Sequence, residues 1–402
     1  MTPVRVGVFG LLGSGNLGND GSLEAVLDHL RTAHPDARVD ALCGGPETVT
    51  ARYGIPATRL HWNRGEYRTA SRVGAVAAKG AGKLVDIVRT AAWVRRHDVV
   101  IVPGMGVLEA TLPLRPWGFP YSLFLLCASG RLLGTKVALV GVGAAAIRDP
   151  ATRALVRWSA RLAAHRSYRD TQSRDALRAM GVRTARDTVH PDLAFALPTP
   201  EGTVRQEGTV CVGVMDFHGG NDDRARADEI HRRYVDGVIS FVRYLVDDGR
   251  RVRLLTGDDC DTTVVDAIRA AVDSPQVTAA EPASLTHLMR ETATADTVVA
   301  TRYHNLICAL KSGTPTLALT YAAKSDALMA RMGLGAYCHS AREVDADRLI
   351  DQFRALEKRS TELRQTLAER NEAVARELAD HLTRMSTALF PTSHAAARPE
   401  DR

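Results

Sequence analysis

Short apolar runs alternate with amphipathic stretches along most of the chain. Apolar runs of roughly four to eight residues, bounded by glycine or polar turns, predict buried strands; apolar positions recurring at helical spacing predict helices. In the first half the strands fall at Val4–Phe9, Arg38–Leu42, Val99–Val102, Lys136–Val140, Arg166–Arg169 and Thr188–His190. Helices are expected at Gly21–Ala33, Lys83–Arg95, Gly118–Leu132, Ala151–Ala164 and Ser173–Met180. The rhythm stops at "LPTPEGTVRQEGT", residues 197–209, which has two prolines, two glycines and no period, and reads as a linker. It then restarts with "VCVGVMDF", a helix over 229–247, "RVRLLTGDD", a helix to Val272, "QVTA", a helix to Glu291, "TVVATRYH", a further helix and "TPTLALTY". Residues 355–388 read as one or two long charged helices.

Strands that alternate with helices predict α/β units with largely parallel sheets. The expected organisation is an N-terminal Rossmann-like domain over 1–198, a linker over 199–209, a second Rossmann-like domain over 210–345, C-terminal helices over 346–390 and a disordered tail over 391–402. Two doubly wound domains facing a cleft would put the carboxyl ends of their strands, where ligands bind in open α/β sheets, toward that cleft.

Composition narrows the partners. The chain has 402 residues, 45% of them hydrophobic, which is enough for two or three full cores. A net charge of +6 and an isoelectric point near 9.1 suit an anionic substrate. Aromatics are only 5% and are not interleaved with basic residues, so no nucleic-acid partner is expected. The six cysteines, at 43, 127, 211, 260, 308 and 338, form no CxxC pair; they read as reduced core thiols of a cytoplasmic protein. Strand-like sequence from Val4 argues against a signal peptide, and no apolar run reaches the roughly 18 residues of a membrane span. Residues 64–96 carry eight Lys or Arg against two acids. They fit either a solvated basic helix pair or a peripheral contact with a membrane surface. Association into a homo-oligomer is left open.

The loop "FGLLGSGNLGND", residues 9–20, contains GxGxxG at Gly13, Gly15 and Gly18. In a dinucleotide site the first glycine ends the strand. Here Gly10 does so and the motif starts three residues late. Asp40, at the distance of a ribose-binding acid, falls inside the second strand. A dinucleotide is therefore not expected. Asn16, Asn19, Asp20 and Ser22 suit helix capping, and the loop's N–H groups could also meet hydroxyls or an anion.

"VVATRYHNLICALKSGTP", residues 298–315, is the more informative stretch. It puts Arg302 and His304 at the end of a central strand, a poor place for an unpaired buried guanidinium. Lys324 follows the next strand, and Arg169 with Asp170 ends a strand of the first half. Three cations without a nearby acidic cluster predict a small, highly charged anion held by carboxylate- or phosphate-directed contacts. His304 is the obvious group to exchange a proton near neutral pH. No metal is expected: the histidines show neither HExxH nor paired-ligand spacing, and "DDCD" at 258–261 reads as a helix cap. Neither GxSxG nor a Walker loop is present.

Four motifs in order resemble the polysaccharide pyruvyl transferase family. "GSGNLGND" resembles its N-terminal G-N-x-G-D-E, and "VIVPGMGVLE" its glycine-rich segment after a strand. "YRDTQSRDALRAMGV…HPDLAFAL" resembles its R-D-x-x-S…P-D segment. "ADTVVATRYHNLICALKSGTPTLALTYAAK" resembles its R-x-H…G-x-P…Y-x-x-K segment. The resemblance covers most of residues 4–340. It implies a GT-B-like fold and transfer of the enolpyruvyl part of phosphoenolpyruvate to two hydroxyls of a sugar or glycan, polymeric, small or lipid-linked, in bacterial cell-envelope polysaccharide synthesis. On this resemblance Arg302, His304, Arg169 and Lys324 hold the donor. His304 is the general acid/base, Arg302 and Arg169 neutralise the leaving phosphate, and no cofactor is needed beyond the donor substrate. Gly15, Asn16, Gly18, Asp20, Gly104 and Gly106 fall on the acceptor side. Departures cluster in the first half: Asn19 replaces the family's usual Asp, "GAAA" replaces a G-P, and Pro103 and Met105 interrupt the glycine run. Two other readings remain: a GT-B glycosyltransferase using a nucleotide sugar, for which "MDFHGGNDD" is a candidate loop, and a non-catalytic sugar-binding paralogue.

Overall fold

A computed structural model describes residues 3–62, 72–109 and 116–390. The expected tail from 391 and the first part of the basic stretch, 63–71, lie outside these residues. Seven parallel strands form the first sheet: β1 Arg5–Gly10, β2 Arg38–Cys43, β3 Ala57–Arg59, β4 Val99–Pro103, β5 Lys136–Val142, β6 His165–Tyr168 and β7 Thr188–Val189. Their order is β3-β2-β1-β4-β5-β6-β7. Six more form the second: β8 Thr209–Gly213, β9 Arg251–Leu255, β10 Val277–Ala280, β11 Thr297–Ala300, β12 Thr316–Thr320 and β13 Cys338–Ser340, in the order β10-β9-β8-β11-β12-β13. Both sheets start at a central strand, run outward, then return to the other side of it. That is the doubly wound Rossmann order, with a switch point between β1 and β4 and another between β8 and β11.

Helices follow the strands and cover the sheet faces, which is why central strands such as β4 and β8 are buried along their whole length. Those used below are α1 Leu17–Ala33, α2 Pro46–Tyr53, α3 Arg72–Val94, α4 Phe119–Leu133, α5 Pro150–Leu162, α6 Thr171–Ala179, α7 Ala227–Asp247, α8 Thr262–Val272, α9 Leu285–Ala293, α10 Tyr303–Lys311, α11 Ala323–Arg331, α12 Ala346–Lys358 and α13 Ser360–Leu389. Local sequence sets several starts. Asp149 caps α5 by accepting from the Thr152 N–H, with Pro150 in the first turn. Asp170 caps α6 by accepting from the Ser173 N–H at 2.6 Å.

The chain divides into two compact units, one of 1–14, 22–193 and 377–402, the other of 15–21 and 194–376. This differs in two places from the division the sequence predicts. Residues 15–21 belong with the second unit, because α1 starts at Leu17 rather than Gly21 and its first turn packs on residues of that unit. The C-terminal helices are not one separate element either. α12 buries Phe353 against Phe241 of α7 in the second unit, with ring centroids 5.3 Å apart. The end of α13 belongs to the first unit: His381, Met385 and Leu389 are buried, and Lys136 Nζ donates to the Leu389 carbonyl at 3.0 Å.

Among the described residues no helix is long and apolar enough to cross a membrane. In the described part of the basic stretch, Lys83 and Arg89 each lie 3.7 Å from the Asp86 carboxylate. Cys43, Cys127, Cys211 and Cys308 are buried thiols, as expected, whereas Cys260 is exposed.

Candidate functional site

Four neighbouring strand ends of the second sheet carry the candidate residues. Asp216 follows β8, Asp258 and Asp261 follow β9, Arg302 and His304 follow β11, and Lys324 follows β12. β8 and β11 flank the switch point, where open α/β sheets take ligands.

Arg302 stands immediately before α10 and is held by Asp261. Its Nη2 lies 2.5 Å from Asp261 Oδ1 and its Nε 2.9 Å from Oδ2. Asp261 is fully buried, and it also accepts from the backbone N–H groups of Asp216, Gly257 and Asp258 at 2.9 to 3.1 Å. Three N–H bonds and one guanidinium balance the buried carboxylate. Burial alone would lower the Arg302 pKa; the Asp261 carboxylate outweighs it and raises the pKa above its ordinary value. This corrects the expectation of cations without acidic neighbours. Asp261 is a cap, as the sequence suggests, completing the capping box of the turn at Asp259–Asp261, and it also orients Arg302. The missed signal is its place, six residues past the buried Leu-Leu end of β9, which only β8 separates from β11, the strand that precedes Arg302. Nη1 of Arg302 makes no hydrogen bond among the described residues, so one edge of the fork remains for an anion.

His304 lies in the first turn of α10, half-buried. Its ring packs on the Cα of Gly18: a β carbon there would meet Nδ1 and Cε1 at 2.0 Å. Gly18 is glycine because the imidazole fills the space. The Tyr303 ring meets His304 edge-on at 5.6 Å, and Lys324 Nζ lies 5.5 Å from the Tyr303 ring centroid. Asn305, fully buried, packs on Gly213 and Gly257, and neither of its amide atoms has a partner among the described residues. The sequence reading passed over it.

From Gly15 onward the glycine-rich loop is held by contacts within the second unit. Asn16 Oδ1 accepts from the Asn19 N–H at 3.2 Å, which caps α1, and its Nδ2 donates to Asp258 Oδ2 at 3.1 Å. Gly15 has φ +91° and lies against Asp259; Asp20 is buried in the first turn of α1. Asp40 sits mid-strand, accepting from Trp93 Nε1 at 2.7 Å and lying 3.1 Å from His97 Nε2, so it is no ribose ligand.

Arg169, in the first unit and expected to hold the donor, lies among carboxylates. Its side chain is 3% exposed, with Nη2 2.6 Å from Glu109 Oε1, Nη1 3.2 Å from Asp192 Oδ2 and Nε 3.9 Å from Asp170 Oδ2. A guanidinium enclosed by three carboxylates is a core ion cluster. Gly143 makes room for it: a β carbon there would lie 2.6 Å from Arg169 Nη2. Gly104 and Gly106 flank Met105 at the end of β4, where Met105 takes φ +62°; Gly104 closes on Ser22 and Gly106 on Glu109.

The sequence model of polysaccharide pyruvyl transferase matches residues 16–322, from Asn16 of the loop through Arg302 and His304 to the end of β12. The chain belongs to the polysaccharide pyruvyl transferase family. No curated protein matches this family member in sequence. Solved structures of similar fold are far in sequence. A UDP-N-acetylglucosamine 2-epimerase described as putative, from Listeria monocytogenes, aligns at TM-score 0.62 and 13% identity over 96% of this chain and 97% of that one. The UDP-GlcNAc 2-epimerase of Methanocaldococcus jannaschii aligns at 0.59 and 9% over 87% and 92%. MurG of Acinetobacter baumannii aligns at 0.55 and 12% over 96% and 99%. At these identities the likeness is one of fold, and it agrees with two Rossmann-like domains.

Proposed function

We propose that this transferase moves the enolpyruvyl group of phosphoenolpyruvate onto two hydroxyls of a sugar or glycan, forming a pyruvate ketal and releasing phosphate. The observation that carries the reading is the grouping of Arg302, His304 and Lys324 at adjacent strand ends beside the switch point of the second sheet. Arg302 keeps Nη1 for the donor's phosphate or carboxylate, and Lys324 adds a second positive charge. His304 delivers a proton to the methylene carbon, which leaves positive charge at C2. One sugar hydroxyl attacks C2 and gives up its proton; the C2–O bond to phosphate breaks; the second hydroxyl closes the ketal and loses its proton. Arg169, neutralised by Glu109, Asp192 and Asp170, stays outside this scheme. Asn16, whose amide accepts from the Asn19 N–H and donates to Asp258, is given no step in it.

The test is phosphate release from phosphoenolpyruvate with a panel of sugar acceptors, repeated with His304→Ala. Acceptor-dependent release that His304→Ala abolishes supports the reading. No release with any acceptor, together with no calorimetric binding of phosphoenolpyruvate, sinks it. Thermal stabilisation by a nucleotide sugar instead would favour a glycosyltransferase on the same frame.

A further inference from the structure

We propose that Asp216, His218 and His231 form a binding site for one divalent transition-metal ion of the zinc type, at the loop that follows β8. The site stands on its own geometry and does not depend on the identity of the donor substrate.

The sequence hides it, because the ligand spacing, D-x-H followed by a histidine on the next helix, matches no common pattern. The fold assembles it in two steps. Phe217 is buried, its ring 5.8 Å from Tyr234 and 5.7 Å from Tyr321, with the Arg342 guanidinium 5.9 Å from its centroid. Anchoring Phe217 inward leaves its neighbours Asp216 and His218 to project together on the other side, since alternate residues of extended chain share a side. His231 then comes from the second turn of α7, a helix with its own buried face.

The distances suit one cation. His218 Nε2 is 2.9 Å from Asp216 Oδ1 and His231 Nδ1 is 3.5 Å from it; all three ligand atoms lie within 4.8 Å of one another. Ligands on zinc bonds of about 2.0–2.1 Å in tetrahedral array stand roughly 3.3 Å apart. The two imidazoles are stacked, centroids 4.2 Å apart and planes 5° apart, so both present a ring edge to the same carboxylate. With protons on those nitrogens His218 Nε2 donates to Asp216 Oδ1 and His231 Nδ1 to the Phe217 carbonyl at 3.3 Å. A cation takes the place of the protons, which move to the other ring nitrogens. Two imidazoles and one carboxylate select a borderline ion over Ca²⁺ or Mg²⁺ and leave a fourth position for water or an oxygen ligand.

The site is tied to the neighbouring cation anchor. The Asp216 N–H donates to Asp261 Oδ1 at 2.9 Å, the same oxygen that holds Arg302. Metal binding would therefore steady the loop after β8 and the Asp261–Arg302 pair together.

The experiment is calorimetric titration of chelator-treated full-length protein with Zn²⁺, with Co²⁺ as a spectroscopic probe. One ion per chain is expected. His218→Ala and His231→Ala should each weaken binding by at least about tenfold, the scale of losses from far milder changes around metal sites, while His287→Ala leaves it unchanged. His218 is exposed, so its variant should fold as the parent does; a matching circular dichroism spectrum checks this. Co²⁺ should give visible bands without a thiolate charge-transfer band. Zn²⁺ affinity indifferent to both histidine changes, a thiolate band pointing to Cys260, or no stoichiometric binding would overturn the site.

Discussion

The Cα of Gly18 rests against the imidazole of His304, leaving no room for even a methyl group: a β carbon at Gly18 would stand 2.0 Å from Nδ1. The glycine that mimics a dinucleotide fingerprint is thus a spacer for the histidine of the R-x-H motif, nearly three hundred residues downstream. Gly18→Ala must push the ring aside. We expect phosphate release to slow by roughly 10²-fold, the scale of a misplaced catalytic group, with donor affinity kept because Arg302 and Lys324 are untouched. Steady-state kinetics checks it: the change should fall on kcat rather than KM, and an unchanged kcat would show that the ring position is immaterial.

Arg302 and Asp261 make a second testable unit. Removing the charge of Asp261 leaves a largely buried guanidinium without its counter-ion. Asp261→Asn should cost about 3–5 kcal/mol, the usual loss when one partner of a buried pair is removed. Urea unfolding gives the number. Arg302→Lys should also lose donor affinity, because an ammonium cannot bond Asp261 in two places and still offer a third donor edge. If Asp261→Asn unfolds at the parent's urea concentration, the pair is not a buried anchor.

Much of this was legible in the sequence, and the misses share a cause. β1 and β4 end within a residue of the expected Phe9 and Val102, because continuous apolar, β-branched runs mark strands buried on both faces, whereas β11 stops at Ala300, short of the expected Arg302–His304. α2 and β3 were passed over: a turn-rich stretch of eight helical residues and a three-residue edge strand carry little periodicity. Arg302, His304 and Lys324 came from strand-end logic, which is local. Asp261 and Asn305 are defined by contacts between separate βα units, and the Asp216–His218–His231 group by a loop folding back on the helix that follows it; no common sequence pattern marks either. The carboxylates around Arg169 were hidden for the same reason. Its strand-end position was correct, but Glu109 and Asp192, which enclose it, come from the ends of other strands.

Arg169 yields a direct contrast with Arg302. If it belongs to a core cluster, Glu109→Gln and Arg169→Met should each destabilise the first unit by about 3–5 kcal/mol. The double substitution should cost less than the sum, because the Glu109 carboxylate is then not left charged beside a missing guanidinium, although Asp192 and Asp170 keep their charge. Phosphoenolpyruvate affinity of folded Arg169→Lys should match the parent. Additive losses, or a fall in affinity like that of Arg302→Lys, would return Arg169 to the donor site.

The docking of the end of α13 should be acid-sensitive. His381 is buried, stacked on His190 at 3.5 Å between centroids, with His165 6.4 Å away and its Nε2 3.4 Å from Ser167 Oγ. Burial first, then the neighbouring His190, His165, Arg384 and His29, push its pKa from 6.5 down to about 2. The folded ring is therefore neutral at pH values where the unfolded ring is charged. Below pH 6.5 the unfolded state binds one more proton than the folded state, so stability falls as pH falls, by about 1.4 kcal/mol per pH unit once well below 6.5. The loss continues toward pH 2 and is absent above about pH 7.5, where both states are neutral. His29, His34 and His165 are also pushed down, chiefly by burial, and act in the same direction. His381→Phe keeps a buried ring and removes one titration, so its stability plotted against pH should be shallower than the parent's by about one proton between pH 6 and 4. Parallel acid limbs for the two proteins in urea titrations would show that His381 takes up its proton without unfolding.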